Sequence, residues 1–139
     1  MPDVATVAAV QLDVGLATFR PIATDDVTDH TMHTERYRVP PETMEACRRT
    51  REQGGRVVAV GTTAVRALES AAKYGELSGR TKLFIHEGFD WQLVDVMMTN
   101  FHLPKTTLLM MIDAFVGPRW RHLYETALAN EYRFLSFGD

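Results

Sequence analysis

The sequence contains an apolar run, a short polar segment and a second apolar run. The first run, Leu93–Met98, has the length of a buried strand, and the second, Leu108–Ile112, fits a buried helix. Pro104 lies between them and excludes one continuous helix, because it lacks an amide hydrogen and keeps the preceding residue from helical angles. Thr106 or Thr107 can cap the helix that follows. The segment therefore predicts a strand-to-helix junction, which is where α/β proteins place ligand-binding groups.

Strand and helix patterns alternate along the rest of the chain. Predicted strands cover 4–14, the short segment around Tyr37 and Val39, 56–60, 83–85, 93–98 and 133–137. Predicted helices cover 41–53, 64–74, 106–115 and 121–130. Residues 24–33 are polar and predict a loop. This alternation predicts an α/β domain with a largely parallel sheet, and the length of 139 residues corresponds to one domain.

The composition is that of an ordinary globular protein, with 45% hydrophobic and 24% charged residues. No apolar run approaches the roughly 20 residues that a membrane-spanning helix needs. The first residues carry no basic segment, so we expect no signal peptide. The lone Cys47 excludes an internal disulfide and suits a reducing compartment, so we expect a cytoplasmic protein.

The charge pattern leaves two interpretations open. A net charge of −3 argues against an autonomous nucleic-acid-binding protein, which usually carries a basic surface. Arginines are nevertheless concentrated in one stretch: Arg36, Arg38, Arg48, Arg49, Arg51 and Arg56. This stretch is either a solvated helix face or an edge of the protein that contacts phosphates.

A second candidate site follows the predicted strand at 56–60. Gly61 permits a tight turn and the close approach of a ligand. Thr62, Thr63 and the first amides of the next helix can bind an anion or a hydroxyl group. Arg66 can bind a carboxylate or a phosphate. The alternative is a capped junction with a pair between Arg66 and Glu69 on the surface.

A third candidate site lies in the polar stretch before the arginines. His33 and Glu35 share one face of an extended chain, so the carboxylate can orient the imidazole as a base. The alternative is a loop histidine satisfied by backbone groups. A metal-dependent hydrolase that uses His30 and His33 ranks far below both, because no second motif supplies the remaining zinc ligands.

His102 lies between apolar neighbours, so we expect it to be partly buried and to have a hydrogen-bond partner. In one interpretation the ring fixes the end of the strand by bonding backbone groups. In the other it acts as an acid or base beside Asn100 and Lys105. The concentration of polar side chains in this short segment favours the second interpretation.

Five segments, spread over nearly the whole chain, match one protein family in the family's own order. The segments are Val14–Pro21, His30–Glu35, Val60–Ser70, Thr99–Leu109 and Tyr132–Asp139. On these residues the chain resembles the C-terminal part of the S-adenosylmethionine:tRNA ribosyltransferase-isomerases of queuosine biosynthesis. The core Asn-Phe-His-Leu-Pro, residues 100–104, is the most specific of these matches.

The resemblance implies a reaction in which S-adenosylmethionine donates its ribosyl group. That group is transferred to 7-aminomethyl-7-deazaguanine in tRNA and isomerised, which gives epoxyqueuosine and releases adenine and methionine. A base must remove a proton beside the sulfonium, and the departing adenine needs a proton donor or a charge-stabilising contact. The implied partner is tRNA carrying the queuosine precursor base, with no metal and no membrane.

The resemblance also implies roles for individual residues. The implied catalytic residues are His33, Glu35 and His102. The implied S-adenosylmethionine-binding residues are Gly61, Thr62, Thr63, Arg66 and Asn100. The implied substrate-positioning residues are Lys105, Thr106 and Arg133.

The chain also departs from the family. Asp13 and Ala17 stand where the family motif His-Val-Gly-x-Gly-Thr-Phe has its histidine and its second glycine. Family members are much longer, so we expect residues 1–139 to be the C-terminal portion of a three-layer α/β domain without the N-terminal strands and the inserted β-barrel domain. Self-association or a partner chain can complete the exposed sheet. The alternative function is a catalytically incompetent truncated homologue or a nucleoside-binding fragment, since this length offers little surface for tRNA.

Overall fold

The computed structural model describes residues 5–15 and 34–137. These ranges form five strands and four α-helices, which confirms the α/β class. The contacts of the chain group it into two compact units. Of the described residues, the first unit contains 5–14, 34–81 and 91–98, and the second unit contains 15, 82–90 and 99–137.

The first unit contains an antiparallel sheet with strand order β1-β2-β4. Its strands are β1 (Gln11–Leu12), β2 (Glu35–Arg38) and β4 (Ser78–Thr81). Side chains alternate across the central strand β2, with Glu35 and Tyr37 buried and the two arginines exposed. One face of this sheet therefore belongs to the interior and the other to solvent.

The first unit also contains a parallel pair of strands, β3 (Val58–Val60) and β5 (Val96–Met98). Ala59 in β3 is only 1% exposed. At the carboxyl end of the pair, the amide of Gly61 donates to the carbonyl of Met98 at 2.8 Å. This hydrogen bond fixes the point where the chain leaves β3.

Two helices complete the first unit, α1 (Pro41–Glu52) and α2 (Thr62–Tyr74). Pro41 suits the first turn of α1, where its missing amide hydrogen costs no hydrogen bond. Helix α2 ends at Gly75, whose left-handed φ of 68° lets its amide close the last turn on Ala71. The buried apolar residues of α2 are Val65, Ala67, Leu68 and Ala71.

The second unit contains α3 (Thr107–Val116), a 3₁₀ turn (Gly117–Arg119) and α4 (Trp120–Ala129). The buried apolar residues of α3 are Leu108, Leu109, Met111 and Ile112. Within the described ranges, no helix has both the length and the apolar character that a bilayer-spanning helix needs.

Several of the predicted strands are wrong. Only Gln11–Leu12 of the described part of 4–14 pairs as a strand, and the segments 83–85 and 133–137 form none. Leu83 and Ile85 are buried, so their alternation reports burial and not strand pairing. Strand β4 was not predicted, because Ser78–Thr81 is polar and contains a glycine.

A largely parallel sheet is not confirmed. Among the described strands only β3 and β5 pair in parallel, while β2 pairs with both its neighbours in antiparallel fashion. The sequence pattern failed here because β4 is joined to β2 by long-range pairing that no local pattern reports. The predicted loop at 24–33 lies outside the described residues.

Candidate functional site

The turn between β3 and α2 presents a helix N-terminus without a side-chain cap. Gly61 precedes the helix with φ 93°, and no side chain of this residue can accept from the first amides. Thr62 and Thr63 open the helix and are half-buried. The first turn contains no acidic residue. Its amides and the positive end of the helix dipole therefore favour an incoming anion or hydroxyl oxygen.

Arg66 is buried and ion-paired in the interior of the first unit. Its Nη1 donates to Oε2 of Glu35, and both side chains are 3% exposed. The alternative interpretation of this site, a pair between Arg66 and Glu69 on the surface, is therefore wrong. The Nε and Nη2 groups of Arg66 have no hydrogen-bond partner among the described residues. Buried guanidinium donors normally have acceptors, so these two can receive one from a ligand.

Glu69 is fully buried and binds three consecutive backbone amides. Its Oε1 accepts from Leu93 at 2.9 Å and from Val94 at 2.8 Å, and its Oε2 accepts from Gln92 at 2.9 Å. The carboxylate therefore fixes the segment that leads into β5. Sequence reasoning missed this role, although helical spacing puts Glu69 on the same face as Val65.

Glu35 lies on the buried face of β2, where it binds Arg66. His33 and His30 lie outside the described residues. The orientation of His33 by Glu35 therefore stays a prediction, as does the imidazole's role as a base. The pairing of Glu35 with Arg66 could not be read from sequence, because 31 positions separate the two residues.

His102 in the second unit is buried, with 6% of its surface exposed. Its Nε2 lies 3.0 Å from Oγ1 of Thr99, and its backbone amide donates to the phenolic oxygen of Tyr124 at 2.9 Å. Partial burial and a hydrogen-bond partner for the ring are thus confirmed, and this partner is a side chain. Burial lowers the pKa of the His102 imidazole and favours its neutral form. A neutral imidazole offers one donor and one acceptor nitrogen, which suits proton transfer.

Aromatic packing holds the segment that carries His102. The ring of Phe101 contacts those of Tyr124, Tyr132 and Phe134 at centroid distances of 5.0, 5.9 and 5.9 Å. The amide of Leu135 donates to the carbonyl of Phe101 at 2.9 Å. Burial raises the pKa of Tyr124, which therefore stays a phenol near neutral pH. Sequence reasoning missed Tyr124.

Thr106 is the cap of α3, and it is one of the two residues that the sequence offers for this role. Its hydroxyl accepts from the amide of Leu109 at 3.2 Å and donates to the carbonyl of Leu103 at 2.8 Å. The single hydroxyl proton is therefore already used. Lys105, the preceding residue, is exposed and has a left-handed φ of 55°.

The other predicted residues of the second unit are on the surface. Asn100 is exposed. Arg133 is exposed too, and its Nη1 donates to the carbonyl of Phe137 at 3.4 Å. Both side chains are accessible to a substrate.

The two units divide the predicted site residues between them. The first unit holds Glu35, Gly61, Thr62, Thr63 and Arg66. The second unit holds Asn100, His102, Lys105, Thr106 and Arg133. Across the described ranges, no group of three or more histidine, cysteine or acidic side chains is arranged to hold a metal ion.

The sequence is similar to proteins of one known family. A family model described as queuosine biosynthesis protein matches residues 3–139. The S-adenosylmethionine:tRNA ribosyltransferase-isomerase of Azoarcus sp. (strain BH72) is 54% identical over 136 residues, and the match covers 95% of this chain and 39% of that protein. The protein of the same name from Acaryochloris marina (strain MBIC 11017) is 52% identical over 136 residues, with 95% and 37% covered.

The fold is also similar to a solved structure. The S-adenosylmethionine tRNA ribosyltransferase from Thermotoga maritima superimposes with a TM-score of 0.71 at 50% sequence identity. That superposition covers 76% of this chain and 39% of the other chain. This chain thus spans less than two fifths of the length of these two curated relatives, at 39% and 37%.

Proposed function

Because this chain belongs to the queuosine biosynthesis protein family, we propose that it transfers and isomerises the ribosyl moiety of S-adenosylmethionine. The acceptor in this proposal is 7-aminomethyl-7-deazaguanine in tRNA, and the product is epoxyqueuosine. The observation that carries the proposal is the 54% identity to a protein named S-adenosylmethionine:tRNA ribosyltransferase-isomerase. S-adenosylmethionine is the ribosyl donor, and tRNA is the second substrate.

We propose that S-adenosylmethionine binds at the turn before α2. The uncapped amides after Gly61 favour a carboxylate or a ribose hydroxyl, and the hydroxyls of Thr62 and Thr63 add donors and acceptors. Asn100, whose side chain is exposed in the second unit, stays a separately predicted contact of S-adenosylmethionine. None of these groups needs to change its charge when the ligand binds.

Arg66 supports this assignment through its unpartnered donors. Glu35 holds one edge of the guanidinium, which leaves Nε and Nη2 without an acceptor in the described part of the chain. A buried donor without a partner is unfavourable by about 1–3 kcal/mol. A carboxylate such as that of the methionine moiety would supply the missing acceptor in the bidentate geometry that arginine favours.

We assign proton transfer to His102 and to His33 oriented by Glu35. In the reaction a base removes the proton beside the sulfonium, and adenine departs with a proton. The amine of the deazaguanine forms a bond to the ribosyl carbon and loses a proton, and the epoxide oxygen forms its second carbon bond as the carbon–sulfur bond breaks and releases methionine. His102 is neutral, so it can accept a proton at one ring nitrogen while Thr99 holds the other. Lys105, Thr106 and Arg133 position the substrates in this proposal, Thr106 through the start of α3.

A single-turnover assay tests this function. The full chain is mixed with precursor tRNA and S-adenosylmethionine, and free adenine is measured over time. We expect His102→Asn to slow adenine release by about a hundredfold or more, the usual contribution of a general acid or base. The exposed His122 of α4 is the matched control, and His122→Asn should leave the rate unchanged. Similar rates in both variants, with unchanged melting curves, would overturn the assignment.

A nucleoside-binding chain without turnover is the second candidate. The observation that favours it is the coverage of only 39% of the Azoarcus relative. Saturable binding of S-adenosylmethionine by calorimetry, with no adenine released in the presence of precursor tRNA, would support this candidate. Release of adenine would exclude it, and absence of any binding would exclude both.

We further propose that residues 1–139 correspond to the C-terminal portion of the family's three-layer α/β domain. A cytoplasmic location follows from the tRNA substrate. Self-association or a partner chain would then complete the sheet. Analytical ultracentrifugation tests this last point, and a monomer at all concentrations would exclude self-association.

A further inference from the structure

Five of the six arginines in the arginine-rich stretch form two groups in the structure, and the sixth, Arg56, is exposed outside both. The arginines of α1 are paired with carboxylates: Arg48 with Glu45 and Glu52, Arg49 with Glu45, and Arg51 with Asp95. The arginines of β2 are not. The side chains of Arg36 and Arg38 make no ion pair or hydrogen bond within the described ranges.

The strand register gathers the unpaired arginines of β2 on one face. Arg36 and Arg38 both point away from the buried side of β2. Arg80 of β4 lies directly opposite Arg36, and its side chain is equally without a partner among the described residues. Directly opposite residues of an antiparallel pair have Cβ atoms about 4.5–5.5 Å apart and share a face. The side chains of Arg36, Arg38 and Arg80 therefore leave the β1-β2-β4 sheet on the same exposed face, with Arg36 and Arg80 directly opposite each other.

This arrangement has no stabilising role within the sheet. Like charges directly opposite each other destabilise an antiparallel pair. The burial of Glu35 and Tyr37 on the other face already fixes the register. An anion that binds between the arginines is attracted to each of them, and this attraction offsets their mutual repulsion.

The same face is concave. A groove of about 430 Å³ is lined by Gln11, Asp13, Arg36, Tyr37, Arg38, Ser78, Gly79 and Arg80. Along β2, Arg36 and Arg38 are about 7 Å apart, which is comparable to the separation of successive phosphates in a nucleic-acid strand. Ser78 and Gln11 flank Arg38 in the register and add polar groups that can bond phosphate or sugar oxygens. Asp13, whose carboxylate accepts from Gln11, is the acidic residue of the lining.

We propose that this groove, which we call the arginine groove, binds the phosphodiester backbone of RNA through Arg36, Arg38 and Arg80. The proposal rests on the proposed function for the identity of the RNA as tRNA. Arginine suits this partner because its planar group bonds phosphate oxygens in pairs. The contacts are to the backbone, so they position the RNA and carry no sequence information.

Equilibrium binding of a fluorescein-labelled tRNA transcript to the full chain tests the arginine groove. The test variant is Arg36→Gln, Arg38→Gln and Arg80→Gln together. The control is Arg48→Gln, Arg49→Gln and Arg56→Gln, which removes the same charge from exposed arginines that do not line the groove. We expect the test variant to bind about tenfold to a hundredfold more weakly, with the slope of log affinity against log salt reduced by about 2–3. The control should lose much less, and Asp13→Asn should bind more tightly.

Equal losses in the two triple variants would overturn the proposal, because net charge alone would then explain the binding. An unchanged salt slope in the test variant would overturn it as well. Displacement of the tRNA by anionic lipid vesicles at equal charge concentration would also overturn the proposal, since the groove would then fit a membrane surface. Adenine release is measured separately: normal tRNA binding without adenine release would refute the proposed function and leave the groove intact.

Discussion

Replacement of Glu69 by glutamine should destabilise the fold strongly although it changes few atoms. The carboxylate accepts three amide hydrogens, two at Oε1 and one at Oε2, from Leu93, Val94 and Gln92. In Glu69→Gln an NH₂ group replaces one carboxylate oxygen. When it takes the place of Oε2, the hydrogen bond from Gln92 is lost and the NH₂ group faces the amide N–H of Gln92. The remaining two bonds change from charged to neutral.

The magnitude follows from these three bonds. Hydrogen bonds to charged groups contribute about 1.5–3 kcal/mol each, and neutral ones about 0.5–1.5 kcal/mol. A neutral amide is less costly to bury than a carboxylate, which offsets part of the loss. We therefore expect the free energy of unfolding to fall by about 2–3 kcal/mol. For a chain of 139 residues, this corresponds to a melting temperature lower by about 7–10 °C.

Thermal and urea unfolding of Glu69→Gln, followed by circular dichroism, measure this effect. The control is Glu52→Gln, which removes a carboxylate that is 59% exposed and bonded to Arg48 on the surface of α1. Its melting temperature should stay close to that of the parent chain. Equal and small shifts in both variants would show that the three amides are not held by the Glu69 charge.

Three further predictions concern buried polar groups. Arg66→Met leaves Glu35 buried without its ion-pair partner and should cost about 3–5 kcal/mol in urea unfolding, and adding Glu35→Leu should restore most of it; equal losses in the single and double variants would contradict this. The lowered pKa of His102 means that the unfolded state binds its proton first, so the free energy of unfolding should fall as the pH drops below about 6.5. Chemical unfolding at a series of pH values measures this dependence, and the decrease due to His102 should be absent in His102→Asn. The same pH dependence in the parent chain and the variant would refute the burial argument. Thr106→Val should cost about 1 kcal/mol through loss of the α3 cap, whereas Thr106→Ser should cost little; equal losses would refute the cap.

The helices could be predicted from sequence to within two residues, because their boundaries depend on local chemistry. Pro41 opens α1, Gly75 ends α2 and Thr106 caps α3, and each acts within one helical turn. The strands were predicted poorly, because pairing depends on partners far away in the chain. Strand β4 has a polar sequence, and it is a strand because its backbone pairs with that of β2.

The site shows the same division between local and distant partners. The turn at Gly61 was predictable from neighbouring residues. The contact of Glu35 with Arg66 spans 31 positions, and that of His102 with Tyr124 spans 22. Neither pair has a spacing that a helix or strand pattern would report, so only the folded structure identifies the partners.

The release of adenine in a single turnover is the decisive test of the proposed ribosyl transfer. The full chain, S-adenosylmethionine and precursor tRNA are incubated together, and free adenine is quantified against ribosylated tRNA. The proposed function predicts one adenine for each tRNA modified, with release slowed in His102→Asn and unchanged in His122→Asn. Bound S-adenosylmethionine with no adenine released would contradict it.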